Sequence, residues 1–472
     1  MVKNEEKTGL VSAIGFNGEG IIKDEGYVIF VPFSLQGEKI RYRVLKVSSN
    51  IVYGKLLEVL TPAEERVRPK CPVFGKCGGC QLQHLEYSHQ LKLKENNIYT
   101  CFRKIAGLDV DVKPTVQGDS CLRYRNKLQL PVRFNGKETV LGFYAENSHR
   151  VVPIDDCIIN PIWTADLIKA VKSYILKNDI KGYDETDGSG MLKEVTAKEL
   201  NGNVIITFVT SCDALRAKED LIDILKNNFP YNFSLFHNVN KSNNNVIYGD
   251  KFYLLYGKPE YSGEMLGIKY TMGVRSFMQV NPTVCAKMYY AVKNAVGNDP
   301  EQTIIDAYSG TGLMTAMLAE YGKKVIGIEI IPEAVDIANN LAINNSLADK
   351  VTNYLGKCEE IMPDIIKKER LNTNKIVIVL DPPRKGCEQA VIDAVINSQA
   401  NKIVYISCKP STLARDVGLI CGSLQVVDGK VVKSNGADLR YKIESVRPFD
   451  MFSMTKHIET VCLLTKKVQN RI

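Results

Sequence analysis

The segment Ser407-Cys408-Lys409-Pro410 contains the strongest candidate nucleophile of this 472-residue sequence. Cys408 follows a predicted strand and precedes a predicted helix, so a helix N-terminus and a lysine lie beside it. Both neighbours favour the thiolate, which is the nucleophilic form, and we expect a lowered pKa. Such chemistry needs a carboxylate as general base. Glu459, near the C-terminus, offers one, although a glutamate taken alone is more often a surface residue.

A second group of residues forms a glycine turn, Asp306-Ala-Tyr-Ser-Gly-Thr-Gly312, between a predicted strand and a predicted helix. Gly310 and Gly312 allow a tight turn and a close approach of a ligand, at the strand end where open α/β sheets bind nucleotides. The next predicted strand ends at Glu329, whose carboxylate can accept hydrogen bonds from two ribose hydroxyls. The turn lacks a full G-x-G-x-x-G, which favours a ligand without phosphates, such as S-adenosylmethionine. A simple tight turn is the alternative.

A third loop, Asp381-Pro-Pro-Arg-Lys-Gly386, ends another predicted strand. Its two prolines stiffen the backbone, and they would hold the Asp381 carboxylate at the same sheet edge. The alternative interpretation is an ordinary turn after a strand.

Three cysteines lie close together in the sequence, Cys71, Cys77 and Cys80, with the spacing C-x5-C-x2-C. Cys157 is the next candidate ligand. Thiolates suit soft metals and iron–sulfur clusters, and the spacing leaves zinc as a rival. The chain has 13 cysteines, which is too sparse for a disulfide scaffold, and the others are expected in core or bystander roles.

The pattern of strands and helices predicts a multidomain protein of three parts. Residues 1–62 read as short strands of a small antiparallel β-barrel, and residues 63–270 as an α+β domain that contains the cysteines. A helix at about 88–107 is a candidate to pack on the C-terminal domain. Residues 271–472 alternate apolar strands with amphipathic helices, which predicts a doubly wound, Rossmann-like parallel α/β sheet. This sheet would bring the three loops together.

Composition excludes several classes of protein. Hydrophobic residues make up 45% of the chain and charged residues 24%, as in globular proteins, and no stretch is apolar enough for a membrane span or a signal peptide. We therefore expect a cytoplasmic protein. The net charge is +8, with 12 basic against 6 acidic residues after position 400. The segments Arg41-Tyr-Arg43 and Arg123-Tyr-Arg125-Asn-Lys127 suit phosphates and stacked bases, although each alone is more often a solvated strand face.

Taken together, the motifs DPPRKG, ISCKP, TKHIET and FMQVNP resemble those of the RNA uracil-C5 methyltransferases, and the resemblance covers the whole chain. It implies that Cys408 is the nucleophile and Glu459 the base. It also implies that the N-terminal part is a TRAM domain, OB-like in fold, and that Cys71, Cys77, Cys80 and Cys157 hold a [4Fe–4S] cluster. The residues it places around S-adenosylmethionine are Gln279, Tyr308, Glu329 and Asp381, and the glycine turn adds Gly310 and Gly312 as candidate cofactor-binding residues.

The implied reaction makes 5-methyluridine in 23S rRNA through a Cys–C6 adduct with a uridine flipped into the pocket. A tRNA substrate is the alternative, and the barrel and cysteine cluster disfavour it because the tRNA-specific branch typically lacks them. A radical S-adenosylmethionine enzyme is a rival, but its usual spacing is C-x3-C-x2-C. A catalytically silent RNA-binding protein is another, and the intact Cys408 and Glu459 argue against it. No membrane and no obligate protein partner are implied.

Overall fold

The computed structural model describes residues 1–368, 371–434 and 439–467. Its N-terminal part is a six-stranded sheet of order β1-β5-β6-β4-β3-β2, in which β1 also contacts β3. The pairing of β4 with β6 is parallel, so the sheet is not wholly antiparallel as predicted, because the chain passes through β5 before returning beside β4. The TRAM assignment stays a prediction. The strands are β1 (Glu6–Leu10), β2 (Ala13–Ile14), β3 (Gly20–Asp24), β4 (Tyr27–Val31), β5 (Lys39–Ser48) and β6 (Ile51–Thr61).

The cysteine-bearing segment leads into helix α1 (Tyr87–Cys101), which continues as a π-helical turn, Phe102–Ala106. Gly107 ends this helix with a φ of 66°, a backbone conformation that glycine adopts without strain.

A seven-stranded central sheet follows, of order β13-β12-β11-β10-β7-β8-β9. One of its faces, which includes Leu128, Leu130 and Ala197, packs on helices α2 and α3. Because side chains alternate along a strand, the polar residues between them lie on the opposite face. The elements are β7 (Lys127–Phe134), β8 (Thr139–Tyr144), β9 (Val151–Pro153), α2 (Trp163–Lys177), β10 (Leu192–Leu200), β11 (Asn203–Thr210), α3 (Lys218–Asn228), β12 (Asn232–Val239) and β13 (Lys251–Tyr256).

The third sheet has the order β18-β17-β16-β19-β20-β24-β23, and a hairpin of β14 (Glu260–Met265) and β15 (Ile268–Gly273) precedes it. The predicted boundary at 270/271 falls inside β15. The remaining elements are α4 (Pro282–Val296), β16 (Thr303–Ala307), α5 (Leu313–Met317), β17 (Lys324–Glu329), α6 (Pro332–Asn344), β18 (Val351–Leu355), α7 (Cys358–Lys368), β19 (Ile376–Leu380), α8 (Gln389–Asn397), β20 (Lys402–Ser407), α9 (Pro410–Cys421), β21 (Leu424–Val427), β22 (Lys430–Lys433), β23 (Tyr441–Phe449) and β24 (Glu459–Lys466).

Five strands of the third sheet are parallel, as predicted, but β24 is antiparallel to both of its neighbours, β20 and β23, so β23 runs in the direction of the five. The prediction of a parallel sheet is therefore wrong at β24. The reason is that β23 and β24 are joined by the short segment 450–458 instead of a crossover helix, so they pair as antiparallel neighbours. The hairpin of β21 and β22 lies in the long segment before β23, and residues 435–438 of that segment lie outside the described residues.

Helix α1 and its π-helical turn pack against α9. Their residues Ile98, Phe102 and Ala106 belong to the same apolar core as the third sheet. Within the described ranges, no helix has both the length and the apolar composition needed to cross a membrane.

Candidate active site

A cavity of about 1430 Å³ lies at the carboxyl ends of β16, β17, β19 and β20. This is the sheet edge at which open α/β folds bind ligands. Seven of the eight residues predicted for catalysis or cofactor binding line it, namely Gln279, Tyr308, Gly310, Glu329, Asp381, Cys408 and Glu459. Gly312 does not line the cavity. A Cβ at position 312 would lie 2.6 Å from the Ala338 Cβ, so this glycine allows α5 and α6 to approach each other.

The pairing of β20 with β24 brings Cys408 beside Glu459. Ser407 pairs with Thr460 at the end of the antiparallel ladder, and Cys408 and Glu459 are the next residues on the two strands. The antiparallel strand β24, whose direction the sequence did not predict, therefore places the candidate nucleophile and base on one wall of the cavity.

Three carboxyl groups of the cavity have raised pKa values. Burial raises the pKa of Glu459 to about 8, with a further increase from Asp381 and an opposing effect of Arg384. Burial raises the pKa of Asp381 to about 7, even though its side chain has surface that faces the cavity. Burial also raises the pKa of Asp306 to about 7, against a hydrogen bond from the Thr315 hydroxyl. The cavity therefore favours neutral carboxyls or a cationic ligand.

The predicted lowering of the Cys408 pKa is wrong. Burial and the Glu459 carboxyl raise the pKa of the Cys408 thiol, while Arg384 opposes this increase by its charge and a hydrogen bond, and Asp381 adds to it. The sequence pattern showed the helix N-terminus and Lys409 but not the carboxyl groups that folding brings to the thiol. Arg384, whose role was missed, is the cation that faces Cys408.

The loop that carries Asp381 and Arg384 is held by α9. The Asp416 carboxylate accepts hydrogen bonds from the Cys387 N–H (2.8 Å) and the Tyr405 hydroxyl (2.5 Å). Arg415 pairs with Asp416 and donates to the carbonyl oxygens of Lys385 and Cys387. The adjacent Arg415 and Asp416, in the helix that follows Pro410, are the sequence signal for this support of the loop.

The glycine turn and Glu329 form one hydrogen-bonded unit. The Gly310 N–H donates to Glu329 Oε2 at 3.0 Å, and the N–H groups of Ile330 and Ile331 donate to Oε1 at 2.8 and 2.9 Å. Tyr308 has a φ of 71°, an unusual value for a non-glycine residue. A Cβ at Gly310 would meet no atom within 4 Å, so this position is open to a ligand. The backbone carbonyl oxygen of Gln279 accepts a hydrogen bond from Asn126 Nδ2, which fixes the backbone at this position.

The four cysteines predicted to bind a metal lie apart from this cavity. Among the described residues, no three His, Cys, Asp or Glu side chains form a group that could hold a metal ion, so the structure does not support the predicted cluster. The thiols nevertheless influence one another. Burial raises the pKa of Cys80 to about 12, and Cys157, Cys77 and Cys71 add to this increase. Burial likewise raises the pKa of Cys157 to about 11, with Cys77 and Cys71 contributing.

Comparison with solved structures defines the class of fold. The structure of the Pyrococcus abyssi tRNA (uracil-54, C5)-methyltransferase in complex with S-adenosyl-L-homocysteine matches with a TM-score of 0.75, covering 97% of this chain and 100% of that one at 24% identity. The fold is that of a methyltransferase.

Comparison with known sequences defines the family. The family model described as tRNA (Uracil-5-)-methyltransferase matches residues 262–467. An uncharacterized RNA methyltransferase of Clostridium acetobutylicum is 34% identical over 98% of both chains. One of Bacillus cereus is 36% identical over 98% of this chain and 97% of its own. The chain belongs to the RNA uracil-C5 methyltransferase family, which confirms the resemblance found in the sequence.

Proposed function

We propose that the protein methylates C5 of a uridine in 23S rRNA, with S-adenosylmethionine as methyl donor and Cys408 as covalent nucleophile. The observation that carries this proposal is the position of Cys408 beside Glu459 on one wall of a cavity whose opposite end holds the Gly310–Glu329 unit.

The residues of the cavity fit S-adenosylmethionine. The Glu329 carboxylate is held by backbone N–H groups and keeps lone pairs for two ribose hydroxyls, and the open backbone at Gly310 leaves room beside it. When bound, S-adenosylmethionine supplies an electrophilic methyl group on a positively charged sulfur. Asp381, Asp306 and Glu459 surround this region with carboxyl groups, which a nearby positive charge would favour in their ionised form.

Cys408 and Glu459 act on the uracil ring, Cys408 at C6 and Glu459 on the proton at C5. The Cys408 thiolate adds to C6 of the uracil, and the electron pair of the C5–C6 π bond moves to C5. C5 would then take the methyl group of the bound donor, whose sulfur–methyl bond breaks and leaves S-adenosylhomocysteine. The adduct then holds both a methyl group and a proton at C5. Glu459 accepts that proton, the C5–C6 double bond re-forms, and the C6–S bond breaks to release Cys408 as thiolate. The raised pKa of Glu459 makes its carboxylate a stronger base for this step.

The positive charge of Arg384 stabilises the thiolate form of Cys408, which these steps require. Its guanidinium lies near both groups and lowers the pKa of both Cys408 and Glu459. It therefore favours the thiolate before addition and again after release of the product.

Cys71, Cys77, Cys80 and Cys157 are the proposed ligands of a [4Fe–4S] cluster. Their mutual electrostatic effects support the proposal, as does the Gly79 N–H, which donates to Cys77 Sγ at 3.3 Å. Four thiolates are a donor set suited to iron–sulfur clusters. An anaerobic preparation with about four iron atoms per chain and a brown colour would support this assignment. Stoichiometric zinc without iron would contradict it.

The choice of 23S rRNA rests on the N-terminal sheet and the cysteine cluster. A tRNA substrate is the second candidate, because the matching family model and the matching structure are both named for tRNA methylation. The archaeal structure also covers almost the whole chain, so its N-terminal part has a counterpart there.

Mapping of 5-methyluridine in rRNA and tRNA, from cells with and without this protein, distinguishes the two substrates. Loss of the modification from 23S rRNA alone supports the proposal, and loss from tRNA alone supports the second candidate. Unchanged 5-methyluridine in both RNAs would overturn the proposed function.

A further inference from the structure

Two lysines of the central sheet lie directly opposite each other. Lys127 on β7 pairs with Lys198 on β10 in the antiparallel register, and both are on the face away from α2 and α3. Like charges at directly opposed positions destabilise a sheet. Lys198 is 9% exposed and Lys127 is half-buried, so water shields this repulsion only in part.

No carboxylate compensates this pair. Among the residues that the structure describes, neither lysine forms an ion pair, and the Lys198 ammonium donates a hydrogen bond to the Ser276 carbonyl oxygen at 2.8 Å. Burial and the charge of Arg125 lower the pKa of Lys127, and burial and Lys127 lower that of Lys198 to about 7. Among the described residues, Lys127, Lys198 and Arg125 therefore lie near one another with no carboxylate paired to either lysine, and the positive charge of the lysines is destabilised.

The lysine pair is joined to the active site. Ser276 lines the active-site cavity, and Asn126, next to Lys127, donates its backbone N–H to Val280 and its side chain to the Gln279 carbonyl oxygen. An anion bound by the lysines would thus lie beside the segment that carries Gln279 into the cavity.

We propose that Lys127 and Lys198 form a binding site for a phosphodiester group of the RNA backbone at the entrance to the active site. This inference rests on the proposed function, because RNA is the polyanion that such an enzyme must hold while a base enters the cavity. A phosphate between the two ammonium groups would remove their repulsion, and its attachment beside Gln279 would fix the strand next to the flipped uridine. The cost of the unpaired charges in the free protein would be offset by the bound RNA.

Binding of a 12-residue polyuridylate, measured by fluorescence anisotropy at pH 6.5 over a series of salt concentrations, tests the site. Lys127→Met and Lys198→Met should each weaken binding severalfold and reduce the slope of log K against log salt by about 0.7, the value for one phosphate contact on a single strand. The double variant should lose no more than this slope, because both lysines hold the same phosphate. Lys127→Arg should keep it.

Lys177→Met is the matched control, since Lys177 is an exposed lysine of α2 on the opposite side of the sheet. It should leave the slope unchanged. Both lysine variants should also unfold at a higher temperature than the unmodified protein, because each removes the repulsion, so misfolding does not confuse the test. Unchanged slopes for Lys127→Met and Lys198→Met, or an equal loss for Lys177→Met, would overturn the proposal.

Failure of this site and failure of the proposed function give different results. If the unmodified protein forms 5-methyluridine but the slopes do not change, the phosphate site is wrong and the function stands. If the slopes change as expected but no RNA is methylated, the site stands as an RNA contact and the proposed function is wrong.

Discussion

The buried Lys94 ammonium lies 2.5 Å from the Asp450 carboxylate and connects helix α1 to the turn that precedes Glu459. The hydroxyl groups of Tyr87 and Ser453 also donate to Asp450, at 2.7 and 2.6 Å. Next to the cysteine segment, the N–H groups of Gln81 and Leu82 donate to the Met454 carbonyl oxygen. The N-terminal half of the chain therefore holds the turn that leads to Glu459, the proposed base.

Replacement of Lys94 by methionine should destabilise the protein and displace Glu459, the proposed general base. Loss of one partner of a buried ion pair typically costs about 3 to 5 kcal/mol of unfolding free energy, because the other charge stays buried. We expect a lower kcat for methylation with little change in the KM for S-adenosylmethionine, since the turn supports Glu459 and not the Gly310–Glu329 unit. Chemical denaturation and steady-state kinetics check both effects.

Lys92→Met is the control for this substitution. Lys92 lies on the same helix, two residues before Lys94 and on its other side, and is exposed. It should change neither quantity. Tyr87→Phe is a milder second variant, which removes one hydrogen bond to Asp450 and should cost about 1 kcal/mol. If Lys94→Met and Tyr87→Phe leave kcat unchanged, the turn does not position Glu459.

The pH dependence of methylation should reflect the raised pKa values of Cys408 and Glu459. Both groups act in their deprotonated forms, so activity should increase as the pH rises through about 8, where Glu459 ionises, and should continue to increase at higher pH as the Cys408 thiol ionises. Arg384→Met removes the cation that lowers both pKa values, and it should move the increase to higher pH. Each unit of displacement lowers the rate at pH 7 about tenfold per group.

Lys385→Met is the matched control for Arg384, since Lys385 is an exposed neighbour that pairs with Glu388. A pH profile that is identical in Arg384→Met and Lys385→Met would show that Arg384 does not act on the thiol.

Asp306 should make the protein less stable at alkaline pH. Its folded-state pKa of about 7 is above the unfolded value of about 3.9, so the folded state binds the proton more tightly. Its contribution to stability is present below pH 4 and is lost as the pH rises through 7. Asp306→Asn should therefore raise the unfolding free energy at pH 8.5, by about 1 to 3 kcal/mol, and have a smaller effect at pH 5.5.

Denaturation with urea at the two pH values measures this difference. The exposed Asp349 provides the control, and Asp349→Asn should give no pH-dependent change. An equal effect of Asp306→Asn at both pH values would contradict the account.

Gly312→Ala should destabilise the junction of α5 and α6. The added Cβ would lie 2.6 Å from the Ala338 Cβ, and the φ of 80° is unfavourable for alanine. Overpacking typically costs about 1 to 3 kcal/mol, in addition to the backbone strain. Gly429, in the turn between β21 and β22, has a φ of 72° with no atom near a Cβ. Gly429→Ala therefore isolates the strain alone, and equal losses of unfolding free energy in the two variants would show that helix packing is not the reason for Gly312.

The local parts of the fold could be predicted because sequence periodicity and turn residues determine them. Strand β17 ends at Glu329 as predicted, and the helix predicted at about 88–107 is α1 with its π-helical turn, Tyr87–Cys101 and Phe102–Ala106. These elements carry their own signals in the apolar spacing.

The relations between distant segments could not be predicted in the same way. The antiparallel pairing of β20 with β24 depends on the insertion of the final strand between β20 and β23, and no local pattern encodes that. The Cys408 pKa depends on Glu459, Asp381 and Arg384, which only the folded chain assembles. The Lys94–Asp450 pair joins residues 356 positions apart.

The covalent role of Cys408 is tested most directly by replacing Glu459 with glutamine. Glutamine has the shape of the protonated carboxyl that the site favours, so the variant should fold, but it cannot accept the C5 proton. The variant should be incubated with S-adenosylmethionine and RNA from cells that lack the protein, digested, and analysed by mass spectrometry. We expect a methylated uridine bonded to Cys408, absent from the Cys408→Ala variant. Methylation by Cys408→Ala, or an adduct on another residue, would contradict it.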